Sequence, residues 1–385
     1  MKEPPKHYLF SNQALYKLIF PLFIEQLLAV AVGLADSLMV ATVGEAAVSA
    51  VSLVDNISIL LITAFAALAT GGAVVAGQFI GHKDTKKACL SGEQLIVFVT
   101  LISLIIMLFT YLGKSFILHV VFGKIKPDVM DYANRYLMIV NASIPFLALY
   151  NCGAALFRIQ GNAKISMQTS LLMNGINIVG NAFLIFVLHF SVEGVAIPTL
   201  VSRMTAAFVI IFLLRNQELM VHISKPFHYR FDGKMVKRIL GIGIPNGIEN
   251  SMFQLGKIVL LSLISTFGTA AIAANAVSNT IAGIEILPGQ AIALAMTTVV
   301  SQCVGADDFE QVRYYTKKLM KFAYIAIAIL NFLILFSLPF IMWIYHFSEE
   351  TTKLAEQILI MHGIMAMLIW PLSFTLPSTL RAAND

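Results

Sequence analysis

The sequence predicts an all-α integral membrane protein built from two parallel copies of one helical unit. Three observations carry that reading. Apolar runs of 20 or more residues recur along the whole chain, each long enough to cross about 30 Å of hydrocarbon as a helix. Only 12% of the 385 residues are charged and 58% are hydrophobic, with a mean hydropathy of +0.82, whereas soluble domains carry roughly 25% charge. The chain also matches itself at a displacement of 224 residues. A transmembrane β-barrel would instead show short alternating segments.

Ten spans follow, at about 15–42, 47–80, 91–122, 132–158, 164–189, 194–214, 241–266, 270–303, 315–345 and 353–381. The first carries Pro21 and two carboxylates, Glu25 and Asp36. A charge near the bilayer centre costs a few kcal/mol even on lenient scales, so such acids face a protein interior or a water-filled cavity. The residues before this span, MKEPPKHYLFSNQ, do not form a cleavable signal, because the apolar run is too long and lacks a small-residue cleavage site. Cys89, Cys152 and Cys303 have no metal-ligand spacing and read as packing residues.

The net charge of +5 does not mark a nucleic-acid partner, since the basic residues are interspersed among spans and form no compact basic domain. They report topology. With a cytoplasmic N-terminus, 19 of the 26 Lys and Arg fall on one side and five (Lys114, Lys124, Lys126, Arg135 and Lys353) on the other, while Arg203 and Lys257 lie within spans. By the positive-inside rule the richer side is cytoplasmic, which implies a multi-pass protein of the plasma (inner) membrane in contact with its lipid.

The self-match pairs Pro21 with Pro245, Glu25 with Glu249, Gly44 with Gly268, Gln78 with Gln302, Gly81 with Gly305 and Asp84 with Asp308 without a gap. One period spans six helices, so both copies enter the membrane in the same direction and a substrate path is expected between two lobes. The lobes are residues 1–222 and 223–385, joined by the basic segment 215–238, a linker whose last part could lie as a surface helix on anionic headgroups. LFRIQGN at 156–162 closes the fourth span and TLRAAND at 379–385 the tenth, pairing Arg158 with Arg381. Two further helices follow the first of these, so an eleventh and a twelfth span are expected after the second.

The fifth span places Asn174, Asn177 and Asn181 on one helical face. Counted inward from the outer ends at 1.5 Å per residue, Asp36, Asn181 and Thr199 all lie roughly 9–14 Å deep. A carboxylate, amides and a hydroxyl at one level suit a proton or Na⁺; ordinary inter-helix hydrogen bonding is the competing reading. The remaining intramembrane ionisable groups are Glu25, Asp55, Arg203, Glu249, Lys257 and Glu285. Glu25 and Glu249 follow their prolines by one turn and either cap freed backbone groups or line a cavity. Glu285 is the expected partner of Lys257, and Asp55 one expected partner of Arg203, with snorkelling the other. Metalloprotease HExxH, GxSxG and phosphate-loop signatures are absent from the sequence, so neither an enzyme nor an ATP-driven pump is expected, and no cofactor beyond a coupling ion.

The stretches PLFIEQLLAVAVGLADSLMVATVGEAAVSAVSLVDNI, GQFIGHKD with its copy SQCVGADD, NGINIVGNAFLIF followed by VEGVAIPT, and the endings LFRIQGNAKIS and TLRAAND together resemble the multidrug and toxic compound extrusion (MATE) transporters, bacterial type. The resemblance covers essentially the whole chain. It implies a MATE-like two-lobe bundle, ten of whose twelve helices are present, and a monomeric antiporter exporting small organic, often cationic, compounds in exchange for Na⁺ or H⁺. The family's first-helix aspartate matches Asp36, its fifth-helix pair Asn177 and Asn181, and its sixth-helix threonine Thr199. Some members carry a second aspartate where this chain has Asn181, Pro198 replaces an expected small residue, and Asp385 matches the acidic end of the tenth-helix motif. Glu249 lies nearer the start of its helix than the acid important in some members and is not assigned that role. A lipid-linked saccharide flippase of the same superfamily would favour a more basic cavity; a channel or an intramembrane enzyme would need a continuous pore or a catalytic cluster.

Overall fold

The structure, a computed structural model, describes residues 8–121, 125–225, 229–345 and 348–383. Lys124 and Asp385, used above, lie outside the described residues, as do Lys2 and Lys6. The described residues fold into helices with no strand, in this order: α1 (Asn12–Val43), α2 (Glu45–Gly81), α3 (Thr85–Leu112), α4 (Lys114–Phe116), α5 (Pro127–Ala142), α6 (Ile144–Ile159), α7 (Ala163–Ala182), α8 (Glu193–Leu213), α9 (Gly233–Ile264), α10 (Thr269–Glu285), α11 (Leu287–Gly305), α12 (Phe309–Phe336), α13 (Leu338–Tyr345), α14 (Glu349–Leu368) and α15 (Pro377–Ala383).

These elements lie along the ten expected spans. Among the described residues, seven helices are long and apolar enough to cross a membrane singly, and the bent pairs α5–α6 (43°) and α14–α15 (57°) bring the number to nine. The remaining rod, α9, has length to spare at 32 residues but carries Lys234, Lys237, Arg238, Glu249 and Lys257. Its N-terminal turns are not a separate surface helix. Asp232 accepts from the backbone N–H groups of Lys234 and Met235 at 3.0 and 3.1 Å, and Met235, Val236 and Ile239 are buried. A capped start and an apolar face therefore make 233–240 the first turns of the span.

The repeat is visible in the backbone. Gly44 and Gly268 hold φ of +135° and +96° at the turns after the first helix of each copy, and Lys83 and Asp307 hold φ of +58° and +54° at the turns after the second. The next residue caps the third helix in both: Asp84 accepts from Lys87 N and Asp308 from Gln311 N, each at 3.0 Å. These caps start α3 at Thr85, earlier than hydropathy alone suggests.

The chain divides into two compact units, residues 28–251 and residues 1–27 with 252–385. The boundaries after Leu27 and Ser251 are one repeat period apart, so each copy's first helix is shared between the units at equivalent positions. In the first unit α2 packs on α3, α5 and α6, and α8 on α5, α6 and α7. Gly71 admits α9: a Cβ there would lie 2.7 Å from Ile239 O and 2.8 Å from Gly243 N.

In the second unit α10 packs on α14, and α11 on α12 and α15. Here the copies differ. Residues 45–81 form one helix, but its counterpart breaks at Ile286, because Pro288 lacks an N–H and its ring cannot follow the carbonyl of Ile284. Asn331 Nδ2 donates to the freed Glu285 carbonyl at 3.2 Å. The position of buried Phe65 is taken in the second copy by Gly289, where a Cβ would lie 2.2 Å from the Trp370 ring.

Candidate functional site

Asp36 on α1, Asn177 and Asn181 on α7, and Thr199 on α8 come together. Asn181 Nδ2 donates to Asp36 Oδ1 at 2.6 Å and to Asn177 Oδ1 at 3.3 Å. Asn177 Nδ2 donates to Thr199 Oγ1 at 3.1 Å, and the threonine hydroxyl donates to Val195 O at 2.8 Å. The depth count along three helices thus reached one cluster, because α7 and α8 are antiparallel neighbours joined by a short turn. Gly180 lets them approach: a Cβ there would lie 2.7 Å from Pro198 Cβ. Pro198, a departure from the family pattern, is the residue that fills this space.

Three of the four side chains are buried and Asp36 is half-buried. Asn181 is 0% exposed, Asn177 5% and Thr199 8%, and Asn181 Oδ1 is buried without a hydrogen-bond partner. A buried acceptor left unmade costs about 1–3 kcal/mol. Because an Asn side chain can exchange its oxygen and nitrogen by rotating, the same amide can donate to an ionised Asp36 or present oxygen to a cation or to a protonated carboxyl. Asn174, on the same face of α7, stays apart and donates to Ser170 Oγ at 3.4 Å. The donors gathered here are hard oxygens, which fit Na⁺, and a carboxyl with an amide oxygen beside it equally fits a proton.

A second polar layer lies one turn along α8. Arg203 Nη1 donates to Ser143 Oγ at 2.8 Å rather than pairing directly with Asp55, whose Oδ1 accepts from the Tyr136 hydroxyl at 3.1 Å. Arg203 therefore neither snorkels nor closes a salt bridge. Ser143 and Tyr136 were not singled out from sequence.

The second copy holds a different pair. Glu285 is 0% exposed, and His362 Nδ1 stands 2.5 Å from its Oε2. Lys257 is not its partner: it is exposed and its ammonium sits 5.0 Å from the centroid of the Phe253 ring. The physical reason is cost. An ammonium taken into this dry site would lose its hydration, whereas an imidazole can enter neutral. Glu285 Oε1 and Asn331 Oδ1 are buried without partners beside this contact. Glu25 is buried at 7% while its repeat counterpart Glu249 is exposed, so the repeated acids do not have equivalent environments.

Long apolar helical rods, with carboxylates and amides gathered among them, define a multi-pass membrane protein of the transporter class. The chain belongs to the MatE family, whose model matches residues 21–183 and 245–385. That family consists of transporters, not enzymes. Among curated proteins it is similar to the uncharacterized transporter YisQ of Bacillus subtilis, 27% identical over 77% of this chain and 66% of that one. It is also similar to the probable multidrug resistance protein YoeA of B. subtilis (23%; 89% and 74%) and to the multidrug export protein MepA of Staphylococcus haemolyticus (27%; 72% and 62%). The chain thus spans about two thirds of the length of these relatives. Among solved structures, a MATE crystal structure in complex with MaL6 superposes with a TM-score of 0.89 at 20% identity, over 97% of this chain and 83% of that one. This likeness shows the fold.

Proposed function

We propose that the chain is a secondary antiporter of the plasma membrane, with its N-terminus cytoplasmic, that exports small organic compounds in exchange for Na⁺ or H⁺. Asp36, Asn177, Asn181 and Thr199 form its coupling site. The observation that carries this reading is Asn181: wholly buried, bonded to Asp36 at 2.6 Å, and left with an unpartnered oxygen. That free oxygen, beside the bond to Asp36, is the acceptor available to a cation or to a protonated carboxyl.

In this reading an ionised Asp36 accepts from Asn181 in the ion-free state. Binding of a proton or Na⁺ neutralises the carboxylate and turns the amide oxygen toward it, with Asn177 and Thr199 as further oxygen donors. The change of charge at this level is what biases the lobes, residues 1–222 and 223–385, toward releasing or accepting substrate. Cationic substrates are favoured because the intramembrane acids Glu25, Asp36, Asp55, Glu249 and Glu285 outnumber Arg203 and Lys257. Two relatives are named for multidrug resistance or export. The protein acts as a monomer, without nucleic acid or organic cofactor.

The test is gradient-driven efflux of a fluorescent organic cation from proteoliposomes, with Na⁺ and pH gradients imposed separately. One gradient should drive efflux, and Asp36→Asn should abolish it at normal protein level. Undiminished efflux by Asp36→Asn would overturn the proposal.

A further inference from the structure

Lys257 differs from the other intramembrane charges in that no acid meets it. Among the described residues it makes no ion pair and no hydrogen bond, and its close partner is the ring of Phe253, with the ammonium 5.0 Å from the centroid. Glu249 lies eight residues earlier on α9, about 12 Å along the axis, and Glu285 is engaged by His362. Phe253 sits at the middle of the span expected at 241–266, one turn before Lys257. The lysine side chain therefore leans toward the centre of the span and does not snorkel to an interface. A charge held at that depth faces water or protein, not lipid, and Lys257 is exposed. This side of α9 is the wall of an aqueous cavity.

The wall continues in aromatic rings of the same unit. Phe253 and Phe374 are 48% and 39% exposed and meet edge to face, with centroids 5.5 Å apart and planes at 71°. Phe374 stacks on Trp370 at 5.2 Å and 22°. Trp370 is in turn seated over Gly289, where a Cβ would lie 2.2 Å from its ring, so Phe374 is fixed from behind while it and Phe253 keep surface free. Next to Lys257, a Cβ on Gly256 would meet nothing within 4 Å, which leaves the space beside the ammonium open. Rings and an unopposed ammonium on one face call for a flat apolar body that carries a negative group. An organic cation would cover the rings but meet the lysine as a like charge.

We propose that Lys257, Phe253 and Phe374 form a recognition subsite for the aromatic carboxylate end of an exported compound, with its ring against the two phenyl groups and its carboxylate on the Lys257 ammonium. As the carboxylate draws the ammonium aside, the face of Phe253 that it covered becomes available to the ligand. The subsite deepens the exporter reading by naming a class of substrate. It is compatible with the acids counted elsewhere in the spans, because one molecule with an amine and an aromatic carboxylate satisfies both signs of charge.

The experiment is isothermal titration calorimetry of the purified full chain in detergent, comparing 2-naphthoate with 2-naphthylmethylammonium, which share a ring and differ in the sign of their charge. The parent should bind 2-naphthoate about tenfold more tightly than the cation. Lys257→Gln should remove that preference by weakening 2-naphthoate about tenfold, and Lys257→Arg should keep it. Phe253→Leu should weaken both compounds by about threefold to tenfold, since contact between rings does not depend on the ligand's charge. Absence of 2-naphthoate binding, equal affinity of the parent for the two compounds, or unchanged 2-naphthoate affinity in Lys257→Gln overturns the proposal. If Lys257→Gln does not fold, unchanged affinities in Phe253→Leu overturn it equally. Asp36→Asn separates this subsite from the coupling site. Lost gradient-driven efflux in Asp36→Asn together with a silent Lys257→Gln sinks the subsite alone, whereas undiminished efflux in Asp36→Asn sinks the coupling site and leaves the charge preference standing.

Discussion

Gly180→Ala tests whether the closeness of α7 and α8 builds the cluster. The added methyl carbon would lie 2.7 Å from Pro198 Cβ and 3.0 Å from its Cγ, against about 3.5–4.0 Å for carbon atoms at rest. A proline ring is tied to its backbone and cannot rotate away, so the helices must part by about 1 Å. The 3.1 Å bond from Asn177 to Thr199 would then stretch to about 4 Å, beyond the range of a hydrogen bond. Overpacking costs about 1–3 kcal/mol and the lost bond about 1 kcal/mol more. Thermal unfolding of the purified protein in detergent should show this as a Tm lowered by several degrees. Pro198→Gly removes both colliding carbons, so Gly180→Ala should cost much less in that background, and the two changes should couple by about 1 kcal/mol or more. If Gly180→Ala costs the same with and without Pro198, the helix contact does not work as described.

Further outcomes follow from other contacts. His362→Ala leaves Glu285 buried with neither side-chain oxygen bonded and should destabilise the protein by about 1–3 kcal/mol, whereas the exchange Glu285→Gln with His362→Gln should recover most of that, both read by thermal unfolding. Gln94→Leu removes three bonds to the linker, from Nε2 to Arg230 O (2.7 Å) and to Oε1 from Tyr229 and the Asp232 backbone (3.0 and 3.2 Å), and limited proteolysis should then cut within 215–232 much faster. Asp84 gives a pH dependence. The backbone N–H of Lys87, aided by its ammonium, holds the Asp84 carboxyl below the usual carboxylate range. Its folded value is depressed, so its contribution is complete above about pH 4 and disappears as the pH falls through the folded value. Asp84→Asn keeps a capping side chain and should lose this acid-side dependence of Tm while matching the parent at pH 7.

The order of the helices and the cluster around Asp36 were legible in sequence for a shared reason. Both depend on counting along straight, apolar helices from recognisable ends, and α1, α7 and α8 are continuous through the residues that matter. Glu285 and His362 were not paired in advance. They lie 77 residues apart on α10 and α14, and Glu285 ends α10 at the break at Ile286, so a count made for an unbroken rod over 270–303 misplaces it. Charge then misled further, since it pointed Glu285 toward Lys257, while desolvation favours the group that can be neutral. Tyr136 and Ser143 carried no signal of their own, because a lone hydroxyl in an apolar span is commonly satisfied by its own helix backbone.

The exchange of Phe65 for Gly289 records how far the duplicated halves have diverged. In one half a helix supplies its own aromatic bulk; in the other the same place is hollowed and receives the ring of Trp370, which stacks on Phe374 at 5.2 Å. The two halves reach a filled interior by opposite assignments of donor and receiver. Each solution is complete only with its own partner helix, so the segments are no longer interchangeable parts. Grafting residues 45–81 in place of 269–305 would drive two rings into one volume, and the reciprocal graft would leave a void. Such a lock allows the copies to specialise separately: a change on one side of the lineage cannot be transferred to the other by recombination without breaking the interior it lands in.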